Sequence, residues 1–274
     1  MQTEVARERL LTKAKTLKVL PSLHDIIDKV FSVLNDQNSS FDQLEDVIQY
    51  DQAICSKIMS IANSAYFCRG LKILNLHRAM VVIGFEEIKN IITCLVFLDE
   101  ILKKMKLRQD HFRSLWYHSL YVAYSAKILS ARTFVEDPEK TFTAALLHDV
   151  GKIILYMSYE GYGDMLLQCQ EPGRDLCVEE RDLFGTDHQE IGYYMGVKWR
   201  FPDEFSSVIR NHHTAKGGGQ QDMLLRLVRI ADRFASHPDE NLGMEGLILL
   251  KEKEKIESEI GRIMELLGMA NEKG

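Results

Sequence analysis

Residues 144–152 read AALLHDVGK, which sets His148 beside Asp149 at the end of an apolar run, with Lys152 one helical turn later. Carboxylates and imidazoles embedded in apolar sequence point to metal chemistry, because a buried charge is expensive unless it is paired, protonated or bound to a cation. Of nine histidines, five fall between positions 118 and 213: His118, His148, His188, His212 and His213. Asp232, in LLRLVRIADRFA, joins them, since it shares a helical face with Leu225, Val228 and Ala235. His118 lies between Leu115 and Val122 on another apolar face, and His212 follows Val208 by four residues.

Imidazole and carboxylate donors together suit Fe or Mn, with Zn or Ni as further choices, better than the all-oxygen sites of Ca or Mg. The order H…HD…H…HH…D holds enough ligands for two ions sharing a carboxylate or a water. Such a pair activates water and clamps a phosphate during hydrolysis. The candidate metal ligands are therefore His118, His148, Asp149, His188, His212, His213 and Asp232, and the candidate catalytic pair is Asp149 with Lys152, whose ammonium would face the phosphate. Each residue also has a plainer reading. A single core histidine is usually just hydrogen-bonded, Lys152 alone reads as a solvated helix residue, and His213 suits a helix end. His24, His77, His111 and His237 show no partner pattern.

The elements that must position these groups read as helices almost throughout, with few alternating β-branched runs and only five prolines. The expected fold class is all-α. SFDQLEDVIQYD opens with Ser40 three residues before Gln43, a capping-box spacing, and its Leu44, Val47 and Ile48 share a face. DQAICSKIMSIANSAYF starts from Asp51 as an N-cap, and Ile54, Ile58 and Ile61 form its stripe. Two more helices follow, broken near Gly84. Beyond the charged KKMKLRQD at 103–110, helices are expected around 111–131, 139–158, 162–170, 187–199, 203–213 and 221–236, with AKGGGQQD at 215–222 as a loop. The last segment carries Ile256, Ile260, Ile263 and Leu267 on one stripe, which docks on the rest of the chain or pairs two chains as a homodimer. The expected division is 1–105, an N-terminal helical subdomain; 106–240, a metal-binding subdomain; and 241–274, an amphipathic helix.

At 274 residues with 46% hydrophobic content, the chain can bury a substantial core. A net charge of −6 argues against a general nucleic-acid binder. IITCLVFL at 91–98 is far short of the roughly twenty apolar residues of a bilayer span. Five cysteines form no CxxC pair and read as free thiols of a cytoplasmic protein, without a cysteine zinc site.

LWYHSL, LLHDVGK, GTDHQEIG, VKWRFPDEFSSVIRNHH and RIADRF resemble the HD superfamily of helical metal-dependent phosphohydrolases. More narrowly, LPSLHDIIDKVFSVLN, YDQAICSKIMSIANSAYF and RAMVVIGFEEIKNI resemble the N-terminal half of the HDOD domain, the HD-related output domain of bacterial signalling proteins. ANSAYF and the E…FG-DH--IG arrangement from Glu180 to Gly192 are the most specific matches, and the resemblance spans roughly residues 15–235. It implies an N-terminal helical subdomain with an HD-like one, and a cytoplasmic signalling role. It also matches His118, His148, Asp149 and Asp232 to the superfamily's ligands. His188, His212, His213 and Lys152 match residues of the related HD-GYP phosphodiesterases, which hydrolyse cyclic di-GMP at a binuclear centre. The chain departs from that group after His213, where TAKGGGQ replaces a DGxGYP-type loop, and at Ser114, which stands in place of a further glutamate ligand. The expectation is a signalling module with a retained metal site, a protein partner or nucleotide ligand, and no nucleic-acid polymer. A metal-dependent phosphohydrolase or phosphodiesterase is the alternative, and an iron site for oxygen or redox chemistry the third.

Overall fold

In the computed structural model of the chain, the described residues are 2–16, 40–48, 52–63, 67, 73–85, 87–88, 91–92, 109–169, 174–198, 201–214, 222–237 and 240–266. Regular structure among them is helical, with no strand, as the all-α reading expects. Asp51, residues 103–108 and residues 215–221 lie outside the described residues. The chain divides into two units, one of residues 1–18 with 106–264 and one of residues 19–105 with 265–274.

The first four helices along the chain are α1 (Gln2–Thr16), α2 (Phe41–Ile48), α3 (Gln52–Ala62) and α4 (Leu76–Ile83). Helices α2 to α4 belong to the smaller unit. The capping box forms as its spacing predicts: Ser40 N–H donates to Gln43 Oε1 at 2.9 Å, and Gln43 N–H to Ser40 Oγ at 3.3 Å. Leu44, Ile48, Ile58, Ile61, Met80 and Ile83 are buried, so the apolar stripes face a common core. Asn63 of ANSAYF clamps Ile73 through both its amide groups, each at 2.9 Å, and α4 ends at Gly84.

The larger unit contains α1 and then α5 (Gln109–Thr133), α6 (Pro138–Leu147), α7 (Lys152–Ser158), α8 (Tyr162–Gln168), α9 (Leu176–Phe184), α10 (His188–Lys198), α11 (Asp203–Asn211), α12 (Met223–Ser236) and α13 (Gly243–Leu266). Helix α5 packs against α6 and α12, while α10 packs against α11, α7 and α1. Helix α1 is fastened along this unit by Arg7 with Glu190 at 2.6 Å and by Lys13 donating to the Met157 carbonyl at 2.9 Å. Ile256, Ile260 and Ile263 of α13 are buried, so the face predicted from their spacing is covered, while Leu267 lies outside the described residues.

Two elements differ from the sequence reading. The helix expected over 139–158 is broken between α6 and α7 at residues 148–151, where hydrogen bonds shorten to the i→i+3 pattern, from Val150 to Leu147 and from Lys152 to Asp149. Gly151 explains the break's position. A Cβ there would lie 1.9 Å from the His188 carbonyl oxygen, so only glycine lets this turn press on the start of α10. Gly192 answers from the other side, where a Cβ would meet Ile209 at 2.7 Å. Helix α9 was not expected at all. Its signals are an Asp175 N-cap, accepting from Val178 N–H at 3.0 Å, and Gly185 after its last residue, but its exposed Val178 and Leu183 blur the apolar stripe.

Candidate metal centre

The ends of helices supply most of the site. His148 caps the C-terminus of α6 and Asp149 follows it in the turn; Lys152 and His188 are the first residues of α7 and α10; His212 and His213 close α11. His118 and Asp232 project from the interiors of α5 and α12. All seven predicted candidate ligands therefore come together, and Lys152 with them.

Asp149 is the centre of the arrangement. Its Oδ1 lies 3.4 Å from His212 Nε2 and 3.5 Å from His188 Nε2, and its Oδ2 lies 3.3 Å from His148 Nε2 and 3.5 Å from His118 Nε2. Asp232 reaches both groups, with Oδ1 3.2 Å from His118 Nε2 and Oδ2 3.6 Å from His213 Nδ1. Two overlapping donor sets result, Asp149 with His188, His212 and His213, and Asp149 with His118 and His148, each with its ligand atoms within 4.8 Å of one another.

The outward ring nitrogens decide what faces inward. His148 Nδ1 donates to the Ala145 carbonyl at 2.6 Å, His212 Nδ1 to the Ile209 carbonyl at 3.0 Å, and His188 Nδ1 to Glu180 at 2.7 Å. With the proton on Nδ1, each ring turns an Nε2 lone pair into the cluster. His188 and His212 then direct lone pairs at one another across 3.2 Å. His148 Nε2, His118 Nε2 and Asp149 Oδ1 are buried and make no hydrogen bond. Apart from Lys152, which donates to Asp149 Oδ2, the cluster gathers lone pairs that lack a donor, which is the environment of a cation, so the donor set fits a transition metal.

Burial works against charge on Asp149 and His148 alike, but each favours the charged form of the other: His148 and Lys152 hold this carboxyl well below its usual range, and Asp149 raises the His148 imidazole, so His148 gives up a proton when its Nε2 binds a metal. Burial likewise opposes charge on Asp232, but the hydrogen bond with His118 and the nearby His213 hold it low. Burial pushes the His212 imidazole down to about 4, despite Asp149, which keeps it a neutral donor at pH 7. Lys152 is not the solvated residue that the plainer reading makes it. It is buried, and its Nζ donates to Asp149 Oδ2 at 2.5 Å. His118 and His213 are a quarter and a third exposed at their side chains, which leaves the cluster open on that side.

Sequence reasoning missed Glu180 and Tyr162 as members of this site. Glu180 is fully buried on α9, and Tyr162 O–H donates to its carboxylate. The unexpected α9 hid them, although Glu180 opens the motif that ends at Gly192.

The HDOD domain profile matches residues 20–215. Among solved structures, the chain is similar to an HDOD domain protein of unknown function from Geobacter sulfurreducens (23% identity, 94% of this chain and 98% of that one, TM-score 0.72). It is also similar to a candidate signal transduction protein from Marinobacter aquaeolei VT8 (20% identity, 98% of this chain and 66% of that one, TM-score 0.73) and a candidate phosphohydrolase from Shewanella amazonensis SB2B (19% identity, 96% and 98%, TM-score 0.69). These likenesses extend the all-helical fold over nearly the whole chain. An uncharacterized protein of Treponema pallidum (strain Nichols) is 24% identical over 219 residues, which are 73% of this chain and 41% of that protein's length. With its profile matched over most of its length, the chain belongs to the HDOD domain family.

Proposed function

We propose that the chain is a signalling module that would hold divalent transition-metal ions, two when full, at the cluster around Asp149. Asp149, His188, His212 and His213 would hold one ion, and His118, His148 and Asp149 the other, with Asp232 beside both. The observation that carries this reading is that the two oxygens of one buried carboxylate face two different histidine groups. Leaving so many buried polar groups without a cation would destabilise the fold, which favours occupancy. Fe or Mn suits the donors best, with Zn or Ni also compatible. The module acts in the cytoplasm through a signalling protein or a nucleotide. No described helix is long and apolar enough to cross a membrane.

A second reading, a phosphohydrolase or phosphodiesterase acting on a nucleotide or cyclic dinucleotide, is favoured by Lys152 and by the open side at His118 and His213. Metal ions held there would supply an acidified water and a clamp for the phosphate. In that reading Asp149 and Lys152 form the catalytic pair: Asp149 keeps Lys152 charged within the buried cluster, and the ammonium faces the phosphate. Elemental analysis of protein purified without a metal-affinity tag tests the first reading. About two Fe or Mn per chain is the expected result for a binuclear centre, and no metal after reconstitution overturns it. Turnover of cyclic dinucleotides by the loaded protein, abolished in Lys152→Met, would then establish the second reading, and its absence would leave the signalling role alone.

A further inference from the structure

Glu180 differs from Asp149 and Asp232, because it does not face the convergent Nε2 atoms but holds one of their rings from behind, at His188 Nδ1. Its Oε2 accepts two hydrogen bonds from a single residue, from the His188 backbone N–H at 2.8 Å and from His188 Nδ1 at 2.7 Å. Its Oε1 accepts from Tyr162 O–H. His188 begins α10, where backbone N–H groups lack helical partners, so this one carboxylate fixes both the main chain and the ring of the same residue. His148 and His212 rest their Nδ1 protons on neutral carbonyls, whereas His188 rests its proton on an ionised group.

We infer that Glu180 is a positioning residue that locks His188 in its Nδ1–H tautomer and strengthens its Nε2 as a donor toward the Asp149 set, with Tyr162 holding Glu180 in turn. The inference rests on the metal-centre reading for its effect on affinity. A carboxylate behind a ligating imidazole orients the ring and raises its basicity, and loss of such a partner weakens metal binding about 10- to 100-fold. Cys177 also lies near Glu180 and His188, but its thiol hydrogen bonds Gln189 Oε1, and burial pushes its pKa far up. Cys177 is thus a protonated neighbour of the pair and not a third ligand.

The test uses Glu180→Gln, which keeps the shape and removes the charge, and Tyr162→Phe, which removes only the hydrogen bond on the far side of Glu180. Histidine nitrogen NMR of the metal-free full chain should show His188 as the Nδ1–H tautomer in the wild type, and a mixed or Nε2–H population in Glu180→Gln. Calorimetric titration with Mn(II) should show affinity at one site weakened about 10- to 100-fold in Glu180→Gln, with a smaller loss in Tyr162→Phe. An unchanged His188 tautomer in a folded Glu180→Gln protein overturns the inference. If that variant does not fold, Tyr162→Phe decides: unchanged His188 nitrogen shifts and Mn(II) affinity overturn it. If the wild type takes up no metal, the metal-centre reading falls, while the tautomer measurement still judges Glu180.

Discussion

Each unit pairs a histidine with a glutamate at nearly the same distance, 2.7 Å for His188 with Glu180 and 2.9 Å for His77 with Glu45. The surroundings are opposite. Both side chains of the first pair are fully buried, while those of the second are 51% and 28% exposed, with Asp42 a further 3.8 Å neighbour of His77. Water satisfies and screens the exposed pair, which therefore adds little, whereas the buried pair must be complete because nothing else can replace a missing partner. Among the described residues, the buried side chains of the smaller unit are apolar, whereas the larger unit carries a polar cluster through its core. His77 showed no partner pattern in the sequence because Glu45 reaches it from another helix.

The largest break in this contrast should come from Asp149→Ala. It removes the carboxylate that both histidine groups face and leaves Lys152 buried without its counter-charge, so a loss on the order of 3–5 kcal/mol is expected. Urea unfolding would measure it, and elemental analysis should show the metal gone; an unchanged metal content would refute the ligand set. Gly151→Ala comes next. Its Cβ would collide with the His188 carbonyl, and overpacking of this kind destabilises by about 3 kcal/mol. A melting temperature equal to the wild type's would show that the turn does not need its close approach to α10.

Acid should sharpen the contrast. Burial opposes charge on Glu180, but His188 and Tyr162 outweigh it and lower its pKa. A carboxyl depressed on folding contributes stability above its unfolded pKa, about 4.3, and loses that contribution as the pH falls through its lower folded value. The stability difference between wild type and Glu180→Gln should therefore be full at pH 7 and narrow as the pH falls below about 4. A difference independent of pH would mean that Glu180 is not ionised in the folded protein. The smallest effect belongs to the exposed pair. A double-mutant cycle over His77→Ala and Glu45→Ala should give a coupling of about 0.2–1 kcal/mol, and a value above about 2 kcal/mol would contradict the screening argument.

The local signals of the chain were legible without coordinates. The helical period predicted the all-α class, the Ser40–Gln43 spacing predicted a cap that forms, and the stripes of α12 and α13 marked faces that are buried. The residue types and their apolar settings likewise singled out the seven convergent His and Asp residues. Such features depend on neighbours within a turn or two, where helix geometry alone relates sequence to position. The break at 148–151 was not legible, because a glycine within an apolar run reads as a helix residue until α10 is pressed against it. Nor was the counter-charge of Lys152, or the hold of Glu180 on His188 through a helix whose weak stripe concealed it. Only the packing of α5, α6, α10, α11 and α12 decided that these groups meet, since sequence order carries no information about which Nε2 lone pair faces which carboxylate oxygen.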